Sequence, residues 1–289
     1  MPELPEVETV ARGLARRVIG DEIESVWLGS KPEPLKSTAR EIQTTLEGTR
    51  IKDVRRVGKH IVVDLDSVAD RKPRKSRSES KSNAQPKVDK RQWIIHLGMT
   101  GRLLVTEPAV EIAKHTHAIV KLASGRELRF VDARRFGRLA VVRHAEGFQG
   151  PGSEPLTIKA LDFAGLFQGR KTFIKAALLN QSLLHGVGNI YADESLFRAG
   201  IRPRRRADDL AKPELKKLHG ALQKVLKEAI KLGGSSVSDY VDADGNAGFF
   251  QLRHYVYMRT GKPCLVCDTP IKRIVVAGRG THYCPQCQR

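Results

Sequence analysis

The chain reads as an α+β multidomain protein. It has an all-β half led by one helix, a helical half, and a small cysteine-bearing module at the end. Three observations predict this. Apolar residues recur at helical spacing over residues 4–18 and again beyond residue 160. Short β-branched runs fill residues 51–142. All four cysteines fall after residue 263.

The elements follow in order. Leu4, Val7, Val10, Leu14 and Val18 share one helical face, so residues 4–18 are expected to form an amphipathic helix, with Pro2 and Pro5 suited to its start. Seven runs then alternate with Gly and charged turns: Ile51–Val57, Ile61–Leu65, Trp93–Ile95, Leu103–Val105, Ala118–Leu122, Leu128–Val131 and Leu139–Val142. Such spacing predicts a β-sandwich or barrel. Residues 146–155 are rich in Gly and Pro and read as a linker. Helical patterns follow at Ala160–Phe167, Lys171–Leu179, Ile190–Arg198 and Lys212–Leu232. The expected divisions are 1–145, a linker at 146–157, 158–250 and 251–289.

A chain of 289 residues with 40% hydrophobic content can bury one large core or two medium ones. Its 51 Lys and Arg outnumber 32 Asp and Glu, for a net charge of +19. That excess points to a polyanion, nucleic acid before anionic membrane. Residues 71–91 hold nine Lys/Arg against Glu79 and Asp89, and the rest of the chain keeps +12. This stretch is nearly free of large apolar residues, so 67–91 is expected to be a disordered basic insert. No run reaches membrane-spanning length and no signal peptide precedes the acidic start, which predicts a cytoplasmic protein.

Chemistry concentrates in four places. The chain begins Met1-Pro2-Glu3-Leu4-Pro5-Glu6-Val7-Glu8. Removal of Met1 would free a secondary amine beside the Glu3 carboxylate. A proline amine can form only a cationic iminium, which makes an electron sink available at residue 2. The plain alternative is a helix start. Cys264-x-x-Cys267 and Cys284-x-x-Cys287 can close a tetrahedral Zn²⁺ site; with no fifth cysteine that zinc would be structural, the alternative being disulfides or free thiols. Between the pairs, residues 275–281 read as a β-hairpin whose turn carries Arg279. His185-Gly186-Val187-Gly188-Asn189 places two glycines before a helix opened by Asn189. Such a turn can offer N–H groups to an anion, with Asn189 alternatively a plain N-cap. Finally, Met99 in His96–Arg102, and Arg134 and Phe136 in Asp132–Gly137, are suited to unstacking DNA from turns. Taken one at a time, such residues are more often packing or surface charge.

As an ordered set, Pro2–Glu8, Lys59 after Val57-Gly58, the Met99 loop, Arg134-Arg135-Phe136-Gly137, Gly186–Tyr191 and the four-Cys finger resemble the bacterial formamidopyrimidine-DNA glycosylase family over essentially the whole chain. The resemblance implies an N-terminal helix with an antiparallel β-sandwich, a helix–two-turn–helix domain and a zinc finger. It also implies a monomer acting on damaged double-stranded DNA, without a membrane, in the bacterial cytoplasm at the nucleoid. The implied activity is excision of oxidised purines, 8-oxoguanine and formamidopyrimidines, followed by β,δ-elimination. Pro2 would be the nucleophile, Glu3 the acid and base, and Lys59 and Arg279 would act near the reacting sugar and phosphate. His96, Met99, Arg134, Phe136, Lys175, Asn189, Tyr257 and Arg279 would contact DNA. Glu6 and Ser235 would border the flipped base, and Cys264, Cys267, Cys284 and Cys287 would hold one zinc ion. The chain departs from the family pattern at Ala133, where Pro is usual, at Met258, where Gly is usual, and in the insert. The alternatives are an endonuclease VIII-like enzyme for oxidised pyrimidines and a non-catalytic zinc-ribbon DNA-binding protein.

Overall fold

Helix α1 (Leu4–Val18) forms where its apolar spacing predicts, with Val7, Val10, Leu14 and Val18 each about 1% exposed. Glu6 reaches back to accept from the Glu3 backbone N–H at 2.8 Å, which satisfies one of the free donors of the first turn. The structure, a computed structural model, describes residues 2–67, 90–144, 146–237 and 240–289.

Two antiparallel four-stranded sheets follow. One has the order β1 (Ile23–Leu28), β6 (Thr116–Leu122), β7 (Glu127–Val131), β5 (Arg102–Thr106). The other has the order β2 (Thr49–Val57), β3 (His60–Ser67), β4 (Lys90–His96), β8 (Arg138–His144). Their inner faces share one core with α1, in which Ile61, Trp93 and Leu139 meet Leu103, Val120 and Phe130. Short helix α2 (Ala39–Leu46) packs beside β1 and β4. The β2–β3 turn is Gly58-Lys59, with Gly58 at φ +60°, so Lys59 stands at a hairpin tip.

The expected insert is narrower than 67–91. Ser67 ends β3, and Lys90 and Arg91 begin β4, where they pair with His144 and Arg143 of β8. The cross-strand ladder continues past the hydrophobic run that marks it in sequence. The remaining basic stretch, 68–89, lies outside the described residues.

The linker is pinned in place. Arg56, 6% exposed, donates to both carboxylate oxygens of Glu154 at 2.8 and 2.9 Å and to Glu8 at 2.7 Å, which ties α1, β2 and the linker together. Beyond it lie α3 (Ala160–Gly165), α4 (Ile174–Leu179), α5 (Asn189–Ala199) and the long α6 (Lys212–Lys231). Their core contains Phe163, Leu178, Tyr191, Leu218 and Leu222, and also Leu4, so the first residue of α1 belongs to the helical half. Conversely, Tyr240 and Ala243 pack into the β core. The last module is the hairpin β9 (Lys272–Val276) and β10 (Arg279–Tyr283). Its small core joins Val256 and Ile271 to Cys264, Cys284 and Phe197 of α5. Among the described residues, no helix is long and apolar enough to cross a membrane.

Candidate active site

A cavity of about 400 Å³ opens where these parts converge, with Glu3, Lys59, Met99, Asn189, Tyr257 and Arg279 around it and Ser235 on its wall. Seven side chains scattered over most of the sequence thus share one space. Two glycines make the convergence possible. A side chain on Gly186, at φ +100°, would meet Gly58 and Leu4 at 3.0 Å, and the Leu4 N–H donates to the Gly186 carbonyl at 2.9 Å. A Cβ on Gly188 would lie 2.1 Å from the Glu3 carboxyl carbon. Gly188 is in extended backbone, so its requirement is close approach rather than conformation. Gly188, not Asn189, is the N-cap of α5; Asn189 is the first helical residue, and its side-chain amide donates instead to Gly280 O at 3.0 Å.

Glu3 lies at the floor, with a second acid, Glu6, behind it. Glu3 and Glu6 are 4% and 2% exposed. Burial, and then the neighbouring Glu6, push the Glu3 carboxyl up to about 8, so it holds its proton at neutral pH. Its Oε1 accepts weakly from the Ile190 N–H at 3.4 Å, at the positive end of α5. Its Oε2 is buried with no hydrogen-bond partner among the described residues. Glu6 differs: its carboxyl, also raised by burial, accepts from the Tyr191 hydroxyl at 2.5 Å and from the Ser235 and Glu3 N–H groups at 2.8 Å each. Glu6 is therefore an anchor behind the pocket, and Glu3 is the acid with a free oxygen. Lys59 is held below the usual lysine range by burial, partly offset by Glu3. Pro2 lies buried at the same end of α1.

The zinc hairpin is fastened from behind. Lys175, expected at the DNA face, is fully buried: its Nζ lies 2.7 Å from Asp193 and donates to Thr281 Oγ1 at 2.7 Å and Gly280 O at 3.1 Å. Asp193 also accepts from the His282 N–H at 2.8 Å. The correction has a clear cause, because a buried ammonium needs the carboxylate that α5 brings across the interface. Lys175 holds the strand that begins with Arg279 and does not itself reach the cavity. The four cysteine sulfurs lie within 4.8 Å of one another, with separations of 3.4 and 3.9 Å. A Zn–S bond of about 2.3 Å gives tetrahedral edges near 3.8 Å, and a disulfide would need about 2.05 Å. The donor set fits zinc.

Arg134, Phe136 and Met99 form one exposed tip. The Arg134 guanidinium lies 4.7 Å over the Phe136 ring, and Phe136 and Met99 are 47% and 39% exposed. The two turns touch at Gly98, where a Cβ would come within 2.5 Å of the Phe136 and Gly137 backbone. The buried Asp132 organises them, accepting from Thr100 Oγ1 at 2.5 Å, Gly137 N at 2.7 Å and Arg134 N at 3.2 Å. These bonds hold the turn that Ala133, lacking a proline ring, leaves freer. His96 is half-buried; its Nδ1 accepts from the Gly98 N–H at 3.1 Å, and burial holds it neutral at about 4.

Sequence reasoning missed several supporting residues. Glu194 accepts from the Tyr255, Val256 and Tyr257 N–H groups at 2.9 to 3.1 Å and so shapes the turn that carries Tyr257. Met258 occupies φ +56°, left-handed backbone where glycine costs least, so the departure at that position carries local strain. Asp193 and Glu194 adjoin the Gly188-Asn189 motif, and two acids in the interior of a helix of buried residues were the available signal.

Three family models match successive parts of the chain: Formamidopyrimidine-DNA glycosylase N-terminal domain at 1–139, Formamidopyrimidine-DNA glycosylase H2TH domain at 150–241, and Zinc finger found in FPG and IleRS at 261–289. The chain is 43% identical to the formamidopyrimidine-DNA glycosylase of Solibacter usitatus, with all of both chains covered. It is 43% identical to that of Thermus thermophilus, covering 100% of this chain and 98% of the relative. Among solved structures it superposes on Lactococcus lactis Fpg in complex with an abasic site containing DNA, at TM-score 0.85, 32% identity and 99% coverage of each. The MutM (Fpg) protein of Thermus thermophilus gives TM-score 0.81 at 40% identity, covering 99% of this chain and 98% of that one.

Proposed function

The chain belongs to the formamidopyrimidine-DNA glycosylase family, and we propose that the cavity around Glu3 is where it excises oxidised purines and then cleaves the strand. The protein is a DNA glycosylase of base excision repair that acts on damaged duplex DNA and carries one structural zinc. It works in the bacterial cytoplasm, at the nucleoid.

The chemistry is divided as follows. Once Met1 is removed, the Pro2 nitrogen attacks C1′ of the damaged nucleotide as the base–sugar bond breaks. Glu3 supplies the proton that opens the sugar ring and then takes protons back. The resulting iminium acidifies C2′; loss of that proton expels the 3′ phosphate, and a second proton loss expels the 5′ phosphate. Lys59 and Arg279 balance phosphate charge at the mouth, with Asn189 and Tyr257 beside them. Met99, Arg134 and Phe136 fill the space the flipped nucleotide leaves, with Arg134 toward the orphaned base. Ser235, held by Glu6, borders the flipped base. Zinc fixes the fold of the module that presents Arg279.

The single observation that carries this assignment is the buried Glu3, protonated at neutral pH and with one oxygen free, in the same cavity as Lys59, Asn189 and Arg279. Cleavage assays on duplexes carrying 8-oxoguanine opposite C, thymine glycol, or no lesion test it. Preferential cutting of the first is the expected result. Preference for thymine glycol would assign the endonuclease VIII-like activity, and cutting of neither would leave a DNA-binding protein.

A further inference from the structure

Helix α6 carries two stripes. Leu215, Leu218, Leu222, Val225, Leu226 and Ala229 are buried in the helical core. On the outside, Lys217, Gly220, Lys224, Lys227 and Lys231 follow one another at three- and four-residue steps, so they form a single ridge. The ridge costs stability twice. An exposed glycine inside a helix is about 0.5–1 kcal/mol worse than alanine, and lysines one turn apart repel. Nothing among the described residues offsets this. A Cβ on Gly220 would meet no atom within 4 Å, so no packing demands glycine there. No carboxylate among the described residues lies within 4.0 Å of these lysines; the nearby Glu228 is paired with Arg198 at 2.6 Å.

The missing side chain opens a groove. A depression of about 550 Å³ runs from Gly220 between α6, the end of α5 and the zinc module. Phe197, 7% exposed, and Tyr255 form its floor, their rings stacked 5.3 Å apart with the Arg198 guanidinium 5.4 Å over the Tyr255 ring, and Val266, 67% exposed, forms one rim. A second depression of about 530 Å³ continues along α6 through Gly220, Lys224 and Lys231. The groove meets α5 at Phe197 and Gly200, whereas the active-site cavity meets it at Asn189. The eight residue steps of α5 from Asn189 to Phe197 separate the two by about 12 Å.

We propose that this groove docks an acidic peptide segment of a partner protein, its carboxylates along the lysine ridge and a large apolar side chain on the Phe197–Tyr255 floor. Positive charge without internal partners supplies attraction, and the apolar floor supplies selectivity. From Lys217 to Lys231 the ridge is about 21 Å long, enough for about six residues of extended chain.

The test uses the full-length zinc-loaded protein and a fluorescein-labelled ten-residue peptide rich in Asp and Glu with two Phe, beside the same peptide with both Phe replaced by Ser. Anisotropy is expected to show saturable binding of the Phe peptide, at least tenfold tighter than of the Ser peptide. Gly220→Leu fills the groove with a better helix former, so it should weaken binding at least tenfold while leaving thermal stability equal or higher. The double variant Lys224→Glu, Lys227→Glu should abolish binding, and excision of 8-oxoguanine should be unchanged in both. Absence of binding, equal affinity for the two peptides, or full affinity in Gly220→Leu would overturn the proposal. Competitive displacement by an undamaged duplex would also overturn it, and would assign the ridge to flanking DNA.

Discussion

Glu3 at the floor of the pocket and Glu6 behind it are 4% and 2% exposed, while at the tip beside it Met99 and Phe136 are 39% and 47% exposed. The floor is polar and buried; the tip is apolar and exposed. Each inverts the usual distribution of side chains, and each inversion matches the task proposed for it. An acid must keep its proton at neutral pH, which takes desolvation. A wedge must reach the base stack, which takes an exposed apolar ring. The two regions also differ in support. Glu3 is positioned by close backbone contact at Gly188, while the tip is positioned by hydrogen bonds to the buried Asp132 carboxylate.

Substitutions can pull the two regions apart. The largest effect is expected at the floor. Glu3→Gln should lower both base excision and strand cleavage at a preformed abasic site by about 10²–10⁴-fold with DNA affinity kept. Phe136→Ala should slow excision from the duplex but leave abasic-site cleavage nearly intact, because no paired base then needs displacing. Equal losses in both assays for Phe136→Ala would merge the two roles. Gly188→Ala comes next. Its methyl must displace the Glu3 carboxyl, so single-turnover excision should fall by at least tenfold while circular dichroism stays that of the wild type.

Zinc removal should act on neither region directly. Cys264→Ser should lose one Zn²⁺ per chain and weaken duplex binding by about tenfold or more, through Arg279, with the β core still folded. Metal analysis beside a binding titration checks this, and undiminished binding without metal would refute it. At the tip, Arg134→Ala should cost about 1–3 kcal/mol of discrimination between lesions opposite C and opposite A, whereas Arg279→Ala should weaken both duplexes alike and flatten the salt dependence. A preserved C-to-A ratio in Arg134→Ala would make it one more phosphate contact.

The smallest effect is on stability. Unfolded, Glu3 titrates near 4.5; folded, near 8. Folding therefore takes up a proton between those values, and the wild type should lose stability as pH rises from about 4.5 to 8. Glu3→Gln lacks that term. Its melting temperature should exceed that of the wild type by a few degrees at pH 8 and by less at pH 5. An unchanged difference across that range would mean the buried carboxyl is not raised.

What the sequence disclosed follows the same division. α1, nine of the ten described strands and all four helices with an apolar pattern were legible, because each has a regular stripe or a marked turn. β1 was not: a register shift between Ile23 and Ser25 breaks its alternation. α2 is only eight residues long, and its one signal was the Thr38-x-x-Glu41 capping box, in which the Glu41 N–H donates to Thr38 Oγ1 at 3.2 Å. Site residues that touch the cavity came through as motifs. Those that act through another residue did not: Asp132, Glu194 and the buried Lys175–Asp193 pair depend on partners from 32 residues upstream to more than 60 downstream. Nothing local marks a lysine as buried until the acid facing it is known.

In the proposed mechanism a freed Pro2 amine, beside a protonated Glu3, forms the covalent bond to DNA. Borohydride reduction during turnover on 8-oxoguanine duplex, followed by peptide mapping, tests it most directly. A one-to-one adduct on the N-terminal peptide at Pro2 is expected, and its loss in Pro2→Gly or when Met1 is retained. An adduct on Lys59 would contradict it.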